Sequence, residues 1–102
     1  MKTRAQIQFD FDQAMRRANE IDELGADLSK IARQDMENTQ AELLAAWKGD
    51  SARLFQSKAN KLQTQVKQTA AELNGIADSI RTIARIIYEA EMEALRIATQ
   101  RI

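Results

Sequence analysis

Trp47-Lys48-Gly49-Asp50-Ser51 lies near the middle of a chain of 102 residues that contains no proline and three glycines. Long stretches of helix-forming sequence precede and follow it. Gly49 has the backbone freedom that a sharp reversal needs, and Asp50 or Ser51 offers a side-chain oxygen to cap the next helix. Residues 47–50 therefore predict a tight turn between two long helices.

The segment after the turn has the most regular pattern in the chain. From Ala52 to Ile97, apolar or small residues recur at alternating steps of three and four. A period of 3.5 residues is typical of a helix that supercoils against another helix. We therefore expect a second helix over about 51–100 that needs a long partner. Its predicted seam consists of Leu62, Val66, Leu73, Ile76, Ile80, Ile83 and Ile87.

The segment before the turn predicts a first helix over about 10–46. Asp10 and Gln13 have the spacing of a capping box, and Asp12 is the competing cap. Residues 1–9 are expected to form a short extended arm, because apolar residues alternate with glutamines there before any helical period begins.

A stripe of small residues marks the inward face of the first helix. Because small residues let a facing helix approach closely, this stripe predicts tight packing. A hinge at the mid-helix glycine is the alternative, but the period runs through it and favours one continuous helix. Asp35 and Thr39 continue the same period. The predicted inward residues before them are Ala18, Ile21, Gly25, Leu28 and Ala32.

The apolar face of the second helix is wider than one partner helix would cover, since alanines flank the seam. Two hairpins packed together would close it, so the expected fold is all-α: a helix-turn-helix hairpin that pairs into an antiparallel four-helix bundle. The 102 residues are expected to form a single domain. Helices pivoting near Lys48 place Phe9 and Phe11 near Ile83, Ile86 and Ile87, and leave residues 88–102 as an overhanging tail.

The central motif resembles that of a known family. Trp47-x-Gly49-x-x-Ala52-x-x-Phe55 is similar to the signature of the WXG family of small type VII secretion substrates, the early secreted antigenic target-like proteins. The resemblance implies a protein that is exported without a cleavable signal peptide. It is compatible with association of the exported protein with the cell surface. It implies pairing with itself or with a related hairpin protein, and contact with the secretion ATPase or a larger toxin.

The resemblance also implies a C-terminal secretion signal of the form Tyr-x-x-x-Asp/Glu. Tyr88 is followed four residues later by Met92, with acids at Glu91 and Glu93 instead. A looser family pattern, apolar-x-x-x-acid-x-x-apolar-x-x-x-apolar, fits the same region. The candidate signal residues are Ile87, Tyr88, Glu91, Glu93, Ala94 and Ala98.

Trp47 has two interpretations. Antiparallel pairing would carry its indole toward the terminal helix of the partner, where the N–H would donate to water or a carbonyl and form a composite recognition surface. Alternatively, the indole only caps the end of the bundle.

Composition argues against several other functions. Fifteen basic residues balance fifteen acidic ones, and the basic residues are dispersed, so neither nucleic acid nor an anionic membrane is an expected partner. The chain lacks histidine and cysteine, so we predict no catalytic residues, no cofactor and no metal site. Neither an apolar leader nor a membrane-inserting stretch is expected. The rival hypothesis is an intracellular coiled-coil scaffold or assembly adaptor with no link to export.

Overall fold

The computed structural model describes residues 1–100. Within that range the chain is all-helical and contains no strand, which confirms the predicted class. The first arm comprises α1 (Arg4–Lys30), a π-helical turn (Ile31–Met36) and α2 (Glu37–Ala46). The second arm is α3 (Asp50–Gln100). Absence of proline leaves every interior amide free to donate within these long helices.

The chain reverses between Ala46 and Asp50. Trp47 adopts an extended conformation, with φ −124° and ψ 123°, while its amide still donates to the Leu43 carbonyl at 2.8 Å. Gly49 has φ +108°, in a region that residues with a Cβ rarely enter. Glycine is therefore required at this point of the turn, and α3 begins at the next residue.

The predicted extended arm over residues 1–9 is wrong, because α1 already begins at Arg4. Thr3 and Gln6 form a reciprocal capping box: the Thr3 amide donates to Gln6 Oε1 at 2.8 Å, and the Gln6 amide donates to Thr3 Oγ1 at 3.2 Å. The predicted cap at Asp10 is wrong for the same reason, since Asp10 lies inside α1. The capping box that begins α1, at Thr3 and Gln6, lies seven residues upstream of the predicted one.

The π turn displaces the inward face of the first arm by one residue. A π turn holds one residue more than an α turn, which rotates everything after it by about 100°. Asp35 and Thr39, which the sequence placed on the inward stripe, are exposed. Met36 and Gln40 are half-buried in their place. The predicted register is therefore correct before the π turn and wrong after it.

Contacts divide the chain into two compact units where the sequence predicted a single domain. The turn unit is Glu23–Asn74, and the terminal unit is Met1–Asp22 with Gly75–Ile102. Each unit pairs a segment of the first arm with a segment of α3.

The turn unit packs closely around small residues of the first arm. Gly25 is buried, and a Cβ built on it would lie 2.8 Å from Asn74 Oδ1 and 3.0 Å from the Ala70 carbonyl oxygen. Ala32 is fully buried, and Ala70 nearly so. The small stripe therefore permits backbone approach that a larger side chain would block.

The terminal unit has a core of alanines and Ile7, which is 2% exposed, with an ion pair beside it. Ala18 and Ala77 are fully buried. Arg81 is paired with Asp22 and also donates to Asn19 Oδ1 at 2.8 Å. The hydrogen bond to Asp22 raises the pKa of Arg81 above its usual value, so the guanidinium stays charged.

Candidate recognition sites

The turn motif presents two neighbouring aromatic side chains. The ring centroids of Trp47 and Phe55 lie 5.6 Å apart, with their planes at 50°. Each residue is 41% exposed. Ala52, in contrast, is buried, and Gly49 supplies the conformation of the turn. Within the motif, Gly49 and Ala52 thus serve the turn and its packing, whereas Trp47 and Phe55 present aromatic rings to solvent.

A mostly apolar groove of the turn unit begins at Phe55. One wall comes from α3, with Phe55, Ala59 and Leu62, and the other from the first arm, with Asp35, Met36, Thr39 and Gln40. Leu62 is 54% exposed, although the sequence placed it on the seam. An apolar wall open to solvent is a surface that a further helix could cover.

Tyr88, from the candidate secretion signal, is held by the N-terminal part of α1. Its ring centroid lies 4.9 Å from that of Phe11, and its hydroxyl donates to Gln8 Oε1 at 3.3 Å. The predicted overhang of 88–102 is therefore wrong at Tyr88, because helical residues 4–9 lengthen the first arm. Residues 101 and 102 of that predicted tail lie outside the described residues.

The two candidate acids of the signal have different surroundings. Glu91 is half-buried and accepts from Lys2 Nζ at 3.3 Å, while Lys2 also lies 2.9 Å from Asp10 Oδ2. The hydrogen bond to Asp10, and to a smaller extent the one to Glu91, raises the pKa of the Lys2 ammonium group. Glu93 is exposed and paired with Arg96, whose hydrogen bond lowers the pKa of Glu93. Glu91 is thus paired with Lys2, just before α1, whereas Glu93 is paired with Arg96 of its own helix.

The apolar members of the looser signal pattern share one face of α3 but differ in exposure. Ile87 and Ala94 are exposed, and Ala98 is half-buried. Phe11 and Ile87 line the same cavity, in agreement with the predicted neighbourhood, whereas Phe9 is 58% exposed. The signal residues are therefore not equally exposed: Ile87, Glu93 and Ala94 are open to solvent, and Tyr88, Glu91 and Ala98 are half-buried.

The predicted seam divides into residues that the chain covers by itself and residues that it leaves exposed. The deeper positions on α3 are alanines that the sequence reading placed beside the seam: Ala70, Ala77 and Ala84. Their regular spacing of seven was the signal that could have identified them. Fully buried or buried seam residues are Ala18, Gly25 and Ala32; half-buried ones are Ile21, Leu28, Val66, Leu73 and Ile80; exposed ones are Leu62, Ile76, Ile83 and Ile87.

Among the described residues, no helix has the length and apolar character to cross a membrane. Over the same part of the chain, no cluster of three or more acidic side chains could hold a metal ion. Glu89, Glu91 and Glu93 accordingly do not converge.

These features define a small all-helical protein built around a Trp-x-Gly turn. The chain belongs to the WXG100 family, described as proteins of 100 residues with WXG, whose model matches residues 6–92. It is the family of small type VII secretion substrates, which confirms the resemblance seen at Trp47 and Gly49. Its members are secreted without signal peptides, generally form helical hairpin dimers and are not known as enzymes.

The other comparisons add no relative. No curated protein matches the sequence, and no solved structure matches it.

Proposed function

We propose that this type VII secretion-associated protein acts by protein contact, as an exported substrate or as the escort of another substrate, in an antiparallel four-helix bundle of two hairpins. The observation that carries the proposal is the row of isoleucines on α3 that the chain leaves uncovered. Ile76, Ile83, Ile86 and Ile87 are 49%, 56%, 60% and 50% exposed.

The side chains that α3 buries in the terminal unit are small. Within the terminal unit, Ala77 and Ala84 occupy the deepest positions of α3, while the larger side chains lie on its flank. Burying a side chain such as isoleucine stabilises a structure by about 1.5–3 kcal/mol. A chain that places alanines inside and isoleucines outside gains most of its apolar burial only when another helix pair covers that flank.

Charge supports pairing with a second copy. Fifteen basic and fifteen acidic residues give no net charge, so two identical chains experience no overall repulsion. The secretion ATPase or a larger toxin would then contact the assembled bundle. Exposed Trp47 and Glu93 are the proposed contact residues.

Deleting the secretion ATPase of the host tests the export role. We expect the protein to disappear from the culture supernatant and to accumulate in the cells, because export of the family depends on that machine. A cytosolic enzyme measured in the same supernatants controls for lysis. Undiminished protein outside the cells would contradict the proposal, and a protein that is never found outside would favour the intracellular scaffold.

Substituting Trp47 separates recognition from packing. Since Trp47 and Phe55 pack on each other, Trp47→Ala and Phe55→Ala remove the same contact, but only the first removes the indole. We expect Trp47→Ala to reduce export at least tenfold, and Phe55→Ala much less, in variants that pair normally. Export is measured by immunoblot of supernatant and cells. Equal export of both variants would show that the indole only caps the bundle.

A further inference from the structure

We propose that Gln63 is a register lock: its side chain holds the π turn in the first arm and so decides which side chains after residue 34 face α3. The proposal goes beyond the proposed function and does not depend on export. It concerns the turn unit alone, which contains all the residues involved.

Gln63 is the buried polar residue of α3, at 8% exposure, and its amide group is engaged on every side. Nε2 donates to the Ala32 carbonyl at 2.7 Å and to Glu37 Oε1 at 3.0 Å. Oε1 accepts from Gln40 Nε2 at 3.2 Å. These contacts reach one residue within the π turn, one just after it and one further along α2, so one side chain links the turn to the helix that follows.

The π turn explains why such a bridge is needed. Hydrogen bonds shift by one residue in a π turn, which disrupts the regular pairing of amides and carbonyls in an α-helix. The Glu37 amide is directed to the Gln34 carbonyl, and the buried Ala32 carbonyl receives the Gln63 amide. The Gln63 side chain therefore adds a buried hydrogen bond inside the irregular turn, which stabilises it.

The register has consequences for both faces of the first arm. With the π turn, Met36 and Gln40 lie inward and Asp35 and Thr39 are exposed. An unbroken α-helix would bring Asp35 closer to the inward face and place Thr39 there instead of Gln40, which would remove the hydrogen bond from Gln40 to Gln63. It would also rotate Met36 away from its place in the apolar groove beside Phe55. The lock therefore sets the surface that any partner of this groove encounters.

A double-mutant cycle tests the coupling. Deleting Gln34, which is neutral and exposed, removes the additional residue and lets a regular α-helix keep Met36 and Gln40 inward. In the full chain, Gln63→Leu removes the side-chain hydrogen bond to the Ala32 carbonyl inside the π turn; the deletion variant has no π turn for that bond to stabilise. We expect Gln63→Leu to weaken folding about tenfold more in the full chain than in the deletion variant. Equal effects in both backgrounds, from urea unfolding, would overturn the lock.

A second measurement uses the unaltered protein, in case the deletion variant does not fold. The side-chain amide protons of Gln63 should exchange with solvent at least tenfold more slowly than those of the exposed Gln65 and Gln68 on the same helix, as measured by NMR. Exchange of Gln63 at the rate of these controls would exclude the hydrogen bond to Ala32 and with it the proposal.

Discussion

Gly25→Leu is expected to lower the free energy of unfolding by about 2 kcal/mol or more. Even a Cβ at this position would lie 3.0 Å from the Ala70 carbonyl oxygen, which is backbone and cannot rotate away. The remaining atoms of leucine would force the two helical segments of the turn unit apart. The gain of about 0.8 kcal/mol from replacing a mid-helix glycine does not compensate. Urea unfolding followed by far-ultraviolet circular dichroism measures the change.

Gly75→Leu is the matched control, since it is the same substitution inside a long helix. Nothing lies within 4 Å of a Cβ built at Gly75. The helix propensity of leucine should therefore raise the free energy of unfolding by about 0.5–1 kcal/mol. We therefore expect Gly25→Leu to lower the urea midpoint of unfolding and Gly75→Leu to raise it. Shifts of the same sign and size would show that the close approach at Gly25 does not exist.

The small stripe was predictable because close helix packing leaves a direct trace in sequence. Ala18, Gly25 and Ala32 recur every seven residues, and all three are buried. The class of fold followed from the same periodicity and from the absence of proline. Periodicity reports which residues share a helix face, and it does so reliably while the helix stays regular.

The register after Ala32 was not predictable from periodicity alone, because a π turn adds a residue without a composition signal of its own. A charged residue at 35 and a methionine at 36 were the local indication, since the regular register would have brought the carboxylate closer to the inward face. The start of α1 was missed for a different reason. The alternation of Ile7 and Phe9 with glutamines resembles a strand, and the capping box that Thr3 and Gln6 form was not predicted.

The seam of α3 was assigned one position away from its deepest residues. Isoleucines suggest burial more strongly than alanines, so the sequence reading placed Ile76 and Ile83 at the centre of the seam. In the single chain, Ala77 and Ala84 lie inside and these isoleucines on the flank. An amino-acid pattern reports the burial required by the complete assembly, whereas one chain covers only part of it. The difference marks the surface available to a partner.

Ile83→Glu is expected to weaken association of the chain about 100-fold or more, because an unpaired carboxylate buried between two hairpins costs several kcal/mol. In the single chain Ile83 is 56% exposed, so the same substitution should change folding of the chain itself only slightly. Sedimentation velocity over a range of protein concentrations measures the association, and circular dichroism checks the helix content.

Thr82→Glu adds the same charge at the neighbouring residue. Thr82 is exposed and, at 100° per residue, lies on the side of α3 opposite the buried Ala77 and Ala84. Because Thr82 lies about 100° from Ile83 and borders only Ile86 of the row, Thr82→Glu should weaken association much less than Ile83→Glu. If Ile83→Glu pairs as tightly as Thr82→Glu, the isoleucine flank is not the interface. If the unaltered chain is already a monomer at all concentrations, self-pairing is wrong, and the uncovered flank would have to be matched by a related hairpin protein with its own apolar row.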